Sequence, residues 1–251
     1  MIECKKLNIT INNLNIIKNL EFKANKGEIT VIVGKNGSGK STLLKAISNI
    51  ISYNGEIVIN GRNQKSYSYK ELAKVLSFMP QNPPKVSLTT QMLVSFGRSP
   101  YTGITGTLCE NDETIINNAI SLIGINQIKN RKIDTLSGGE LRKVYLAMML
   151  AQNTEILLLD EPTANLDIPY QKYFLDMLLK IKNQGKTIVC VLHDINQALT
   201  IADKIVLLEN SELCFCGSTK EFINSEIPQK RFGMEKITYI NENGEKGVIF
   251  K

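Results

Sequence analysis

The sequence predicts an α/β fold: antiparallel strands at the start, a helical stretch in the middle, and buried strands of a parallel sheet. Three observations carry this. Residues 155–160 and 187–193 are β-rich runs with almost no polar alternation, each followed by a helical stretch. Strands buried on both faces of a parallel sheet read this way. Residues 1–30 alternate loosely between turn signals at Asn12-Asn13 and Lys26-Gly27, as antiparallel strands do. From about residue 87 to 151 the apolar spacing becomes helical.

Taken in order, residues 29–33 form a short apolar run that enters a glycine-rich loop, and 42–47 continue as a helix. Asn54-Gly55 and Asn60-Gly61 flank a strand at 56–59. Residues 74–79 lead to Pro80-Gln81-Asn82-Pro83-Pro84, a proline cluster that closes the first lobe. Ile115, Ile116, Ala119, Ile120 and Ile123 share one helical face, and Leu141, Val144, Tyr145 and Met148 share another. Residues 204–209 and 213–215, turned at Asn210-Ser211, predict a hairpin; 219–251 predict one helix and a small strand pair.

Composition excludes several classes. The longest apolar runs, near 156–159 and 188–192, fall far short of the roughly 20 residues of a membrane span. The first residues, Met1-Ile2-Glu3-Cys4-Lys5-Lys6, do not make a secretory signal. Five scattered cysteines read as reduced cytoplasmic thiols. Cys214 and Cys216 share one face of a probable strand, either as small strand residues or as half of a metal site that lacks its second pair. The net charge of +6 comes without a dense basic patch interleaved with aromatics, so no nucleic-acid partner is expected. Basic residues near a membrane surface explain the charge equally well.

The chemistry begins at Gly34-Lys35-Asn36-Gly37-Ser38-Gly39-Lys40-Ser41, followed by Thr42. Glycines let backbone N–H groups converge on phosphate oxygens, and the helix that follows points its positive end at the same anion. Lys40 would reach the β- and γ-phosphates, and Ser41 would ligate Mg²⁺. A chain of 251 residues has room for one such nucleotide unit, not two. After the run 156–159 come two carboxylates, Asp160 and Glu161, at the sheet edge where open parallel sheets bind ligands. Asp160 suits Mg²⁺, and Glu161 suits a base that orients water. His193, the one histidine, lies just past the next buried strand. It is either structural or a partner of a γ-phosphate or attacking water. Gln81 is either a ligand for Mg²⁺ or water, or a plain loop residue.

Leu136-Ser137-Gly138-Gly139-Glu140 reads in two ways. Ser137 and Glu140 spell a capping box, so a simple helix start accounts for them. Two adjacent glycines are poor helix formers and make sense where something approaches the backbone closely. A helix N-terminus carrying a serine hydroxyl also suits an anion.

The order of these elements, with Ala164-Asn165-Leu166-Asp167 after Pro162, resembles the ATP-binding cassette (ABC) ATPases over essentially the whole chain. That resemblance implies a single domain over 1–251 with the P-loop ABC ATPase fold. Residues 1–83 and 153–251 would form the catalytic core with its β lobe, and 84–152 the helical lobe. It further implies a head-to-tail homodimer in which ATP held at Lys40 of one copy is covered by Ser137, Gly138, Gly139, Glu140 and Asp167 of the other. Glu161 would be the base, His193 the switch residue, and Gln81 the Q-loop glutamine, which with Ser41 and Asp160 would hold Mg²⁺. Partners would be transmembrane permease subunits and, through them, a substrate-binding protein, with the chain on the cytoplasmic face of the membrane. Residues 94–101 (Val94-Ser95-Phe96-Gly97-Arg98-Ser99-Pro100-Tyr101), Leu192-His193-Asp194-Ile195-Asn196-Gln197-Ala198 and Ala151-Gln152-Asn153-Thr154 are similar to importers of ferric siderophores, haem and cobalamin. The alternative is a soluble ABC ATPase of a non-transport assembly, such as one for iron–sulfur cluster biogenesis. Where the family stacks adenine on an aromatic residue, this chain has Ile11, which loses a stacking gain of roughly 0.5–1.5 kcal/mol.

Overall fold

The computed structural model describes residues 1–102, 106–240 and 246–251. The chain opens with β1 (Ile2–Ile11), β2 (Leu14–Ala24) and β3 (Ile29–Val33), and then α1 (Lys40–Ile47). Next come β4 (Asn54–Ile59), β5 (Arg62–Asn63), α2 (Tyr69–Val75) and β6 (Leu76–Met79). The helices α3 (Thr90–Ser95), α4 (Glu110–Ile123) and α5 (Gly138–Gln152) follow. The sheet resumes with β7 (Ile156–Asp160), α6 (Ile168–Asn183), β8 (Thr187–Val191), α7 (Ile195–Ile201), β9 (Lys204–Glu209) and β10 (Glu212–Ser218). The chain closes with α8 (Thr219–Asn224), α9 (Ile227–Phe232), β11 (Lys236–Ile240) and β12 (Lys246–Phe250).

Two sheets organise the core. One runs β10-β9-β3-β8-β7-β6, parallel throughout except for the antiparallel edge strand β10. The other, β2-β1-β4-β5, is antiparallel. The central strands are apolar on both faces because each face has its own core. Val31, Val33, Leu157, Leu159, Ile188 and Cys190 face the cluster that includes α5 and α6. Their alternating neighbours Ile32, Ile156, Leu158, Val189 and Val191 face the cluster formed with α1 and the antiparallel sheet. Each such side chain contributes about 1.5–3 kcal/mol on burial.

The C-terminal segment differs from expectation. It carries two helices, α8 and α9, instead of one. Pro228 opens α9 near its N-terminus, where a missing N–H costs nothing. Cys214 and Cys216 are both exposed, and among the described residues no group of His, Cys, Asp and Glu is placed to hold a metal ion. Among the described residues no helix is long and apolar enough to cross a membrane.

Candidate nucleotide site

The site is assembled where β3, β7 and β8 end side by side. β3 runs straight into the glycine loop. At Gly34 (φ 147°) a Cβ would fall 2.1 Å from the Leu208 carbonyl oxygen, and at Gly39 (φ 96°) it would fall 2.9 Å from that of Ile16. The loop is therefore pressed against its neighbours, and only glycine fits there. Gly39 caps α1 with no side-chain acceptor, which leaves the first N–H groups of the helix open toward the loop.

Lys40 is stowed across this loop. Its Nζ donates to the carbonyls of Gly34 (2.8 Å) and Lys35 (2.9 Å), and burial pushes its pKa down, partly offset by Glu161 and Asp160. The Ser38 Oγ is buried and has no partner. A buried hydroxyl without a partner is rare in folded proteins and points to a ligand group that completes it. Ser41 Oγ donates to Asp160 Oδ1 at 2.8 Å. Burial raises the Asp160 pKa, and the Ser41 hydrogen bond pulls the other way.

Glu161 follows β7 in a left-handed backbone conformation, φ 49°. This turns its carboxylate off the strand axis and into the cavity. Its Oε1 lies 2.6 Å from His193 Nε2, and its Oε2 accepts from Gln81 Nε2 at 2.5 Å. Thus Gln81 at the end of the first lobe, Glu161 after β7 and His193 after β8 meet at one carboxylate, although 112 residues separate the first from the last. A cavity of about 420 Å³ brings together Asn36, Gly37, Gly39, Lys40, Ser41, Thr42, Gln81, Glu161 and His193.

Ser137, Gly138, Gly139, Glu140 and Asp167 do not line this cavity. Ser137 caps α5: its Oγ accepts from the Glu140 N–H (3.2 Å), while the Glu140 carboxylate accepts from the Ser137 N–H (2.9 Å) and pairs with Arg131. These bonds, the backbone one foremost, hold the Glu140 carboxyl below its ordinary range. The capping box is therefore real, and it also leaves the glycine turn displayed away from the chain's own loop. Asp167 caps α6 by accepting from the Tyr170 N–H.

The position expected to meet adenine, Ile11, lies outside the lining of this cavity. Ile11 is paired with Leu14 at a hairpin tip, is 41% exposed, and does not line the cavity; Ile16 does. Only the register of β2 decides which apolar residue faces the loop, and that register is irregular. Arg142 was also missed. It is buried, donates to the Gln81 carbonyl at 3.4 Å, and is drawn by Glu161. A single arginine on a helix carries no sequence mark of a buried partner.

The family model described as "ABC transporter" matches residues 17–164. The chain belongs to the ABC transporter family. Among its relatives, the petrobactin import ATP-binding protein YclP of Bacillus subtilis (strain 168) is 36% identical over 253 residues, covering 100% of each chain. The iron(3+)-hydroxamate import ATP-binding protein FhuC of the same organism is 37% identical over 234 residues, covering 92% of this chain and 87% of that one. The achromobactin transport ATP-binding protein CbrD of Dickeya dadantii (strain 3937) is 36% identical over 237 residues, covering 93% and 88%. Among solved structures, an inward-facing conformation of a putative metal-chelate type ABC transporter matches with TM-score 0.87 at 26% identity, covering 100% of this chain and 96% of that one. A dimeric ATP-binding cassette in a post-hydrolysis state bound to ADP and Pi matches with TM-score 0.78 at 27% identity, covering 87% and 99%.

This ABC cassette is thus an ATP-hydrolysing transporter subunit with the P-loop core, antiparallel lobe and helical lobe of its family. Its nucleotide, as a member of this family, is ATP.

Proposed function

We propose that this cassette powers the import of a ferric siderophore, docked on the cytoplasmic side of a membrane permease that is fed by a substrate-binding protein. Kinship over nearly the full length with ATPases named for petrobactin, hydroxamate and achromobactin transport supports this over a soluble non-transport assembly. The observation that carries the catalytic reading is the Glu161 carboxylate held between Gln81 and His193, facing the Lys40–Ser41–Asp160 cluster across one cavity.

In this reading ATP draws Lys40 off the Gly34 and Lys35 carbonyls and onto the β- and γ-phosphates. The open N–H groups of α1 and the unpartnered Ser38 hydroxyl receive the remaining oxygens. Ser41, Gln81 and Asp160 offer only oxygen donors, which fits a hard cation. They would hold Mg²⁺, which neutralises phosphate charge when bound. Glu161 orients and polarises the attacking water, and His193 keeps that carboxylate aimed. Ser137, Gly138, Gly139, Glu140 and Asp167 close the cavity of the second copy and exclude bulk water there.

Uptake of radiolabelled iron tests the cargo. A host strain that lacks the chain should fail to accumulate iron from at least one hydroxamate, catecholate or carboxylate siderophore, and the wild-type chain should restore uptake while Glu161→Gln does not. Normal uptake from all three chelate classes in the deleted strain would contradict the importer reading.

A further inference from the structure

Two glutamines that the catalytic reading leaves unused lie immediately behind the Glu161–His193 pair. Thr163 Oγ1 donates to Gln197 Oε1 (2.8 Å), Gln197 Nε2 donates to Gln171 Oε1 (2.9 Å), and Gln171 Nε2 donates to the Leu166 carbonyl (2.9 Å). Every bond runs in the same direction. Each amide accepts on one side and donates on the other, and flipping Gln171 breaks its bonds to both Gln197 and the Leu166 carbonyl. The chain of bonds joins three pieces. Thr163 is two residues past Glu161. Gln197 belongs to α7, which starts two residues past His193 and is capped by Asp194 through the N–H groups of Asn196 and Gln197. Leu166 immediately precedes Asp167. A second cavity of about 200 Å³ is bordered by Glu161, His193, Thr163, Gln171 and Gln197.

The first turn of α6 reaches the opposite way as well. The Tyr170 N–H is held by Asp167, and its ring lies where a Cβ on Gly139 would sit, 2.9 Å from Cδ1. Lys143 of α5 lies over both the Tyr170 and Tyr173 rings. One turn therefore touches the display turn of α5 on one side and the amide chain on the other.

We infer that Gln171 and Gln197 are positioning residues that tie the Leu166–Asp167 turn to the Glu161–His193 pair, so that docking of a second copy against Asp167 fixes the aim of the base. The inference rests on the roles proposed above for Glu161 and Asp167. Neither glutamine lines the nucleotide cavity. Their loss leaves ATP binding intact and misplaces the carboxylate by a fraction of an ångström.

The test pairs phosphate release with hydrogen exchange on the purified full chain. Q171L and Q197L should each lower kcat about ten-fold while KM for ATP stays within about two-fold, as expected for a misaimed base with an intact binding site. The double variant should lose no more than the worse single one, because both break the same chain. T163V should fall like Q197L, and T163S, which keeps the hydroxyl, should recover most of the loss. Amide exchange at residues 163–167 should quicken in Q197L, 30 or more residues along the chain from the substitution, while the antiparallel sheet stays protected. Unchanged kcat in a folded Q197L, multiplying losses in the double variant, or unaltered exchange at 163–167 would each overturn the wiring. E161Q separates the two readings. Wild-type hydrolysis there would sink the assignment of the base, whereas the exchange result judges the wiring on its own.

Discussion

Glu161 holds a left-handed backbone conformation, φ 49°, that no glycine relieves. Such a conformation costs a side-chain-bearing residue about 1–2 kcal/mol. It is retained beside a strand that is otherwise fully buried, and it delivers the carboxylate to His193 and Gln81. Strained residues cluster at functional sites, and here the strain aims a carboxylate into the cavity. Glu161→Gln preserves size and backbone while removing the proposed base. Hydrolysis should fall by about 10²–10⁴-fold with nucleotide affinity retained, read by phosphate release alongside fluorescent-nucleotide titration. Lys40→Ala should do the reverse and weaken binding itself, because the free N–H groups of the loop then face the triphosphate without a cation. Equal affinity in that variant would remove Lys40 from the site.

At the scale of elements, the helical lobe depends on one close approach and one buried ion pair. Gly97 lies against α5, where a Cβ would sit 2.3 Å from the Met148 carbonyl oxygen and 2.9 Å from the Gln152 nitrogen. Backbone cannot yield as a flexible side chain does, so Gly97→Ala should destabilise the chain by about 1–3 kcal/mol. Removing the Ser137 cap from α5 costs only about 1 kcal/mol, so thermal melting should rank G97A as the more damaging of the two. Next to Gly97, the buried Arg98 donates to Asp112 (2.8 Å) and to the Ala151 carbonyl (2.8 Å), tying α4 to the end of α5. The Cys109 backbone N–H, the Cys109 thiol and Arg98 hold the Asp112 carboxyl down, to about 2 from an ordinary 3.8. A carboxyl with a lowered folded-state pKa stabilises fully above its unfolded value and loses that contribution as pH falls toward the folded one. Acid unfolding followed by circular dichroism should therefore show a component between about pH 4 and pH 2 that Asp112→Asn lacks.

The same scale shows what the sequence made legible. β7 and β8 were visible because both faces are buried, so hydrophobicity alone marks them. The loop-and-helix pair at Gly34 to Ile47 was visible because phosphate binding dictates residue types at fixed spacing. The edges were not visible. β5 is only two residues long, and α9 depends on a proline that reads equally well as a loop. Within the site, Lys40, Ser41, Asp160, Glu161 and His193 could be placed because motif and strand end coincide. Ile16, Arg142, Gln171 and Gln197 could not. Their neighbours come from other segments, brought together only by the parallel pairing of β3, β7 and β8. A polar residue on a helix carries no mark of what lies across from it.

The whole molecule raises a question that one chain cannot answer by itself. Its nucleotide cavity is complete on one side, while the glycine turn at Ser137–Glu140 and the Asp167 cap face elsewhere. In the head-to-tail pair proposed above, Ser137 of each copy lies over Ser38 of the other. Cysteines at positions 38 and 137 should then crosslink between copies when magnesium and ATP are present and hydrolysis is blocked by Glu161→Gln. The native thiols must first be dealt with. Cys4 and Cys190 are buried, and burial pushes the Cys190 thiol up to about 12, so neither competes. Cys109, Cys214 and Cys216 are exposed and need replacement. Serine suits position 109, because that residue caps α4 and serine is the better cap. The crosslinked band should need both substitutions and should fade when ATP is omitted, since the triphosphate supplies the contacts that join the two surfaces. A band that forms equally without nucleotide would mean that the two copies meet through some other face. No band with nucleotide present would mean that Ser137 never covers the loop, and the division of each site between two chains would have to be abandoned.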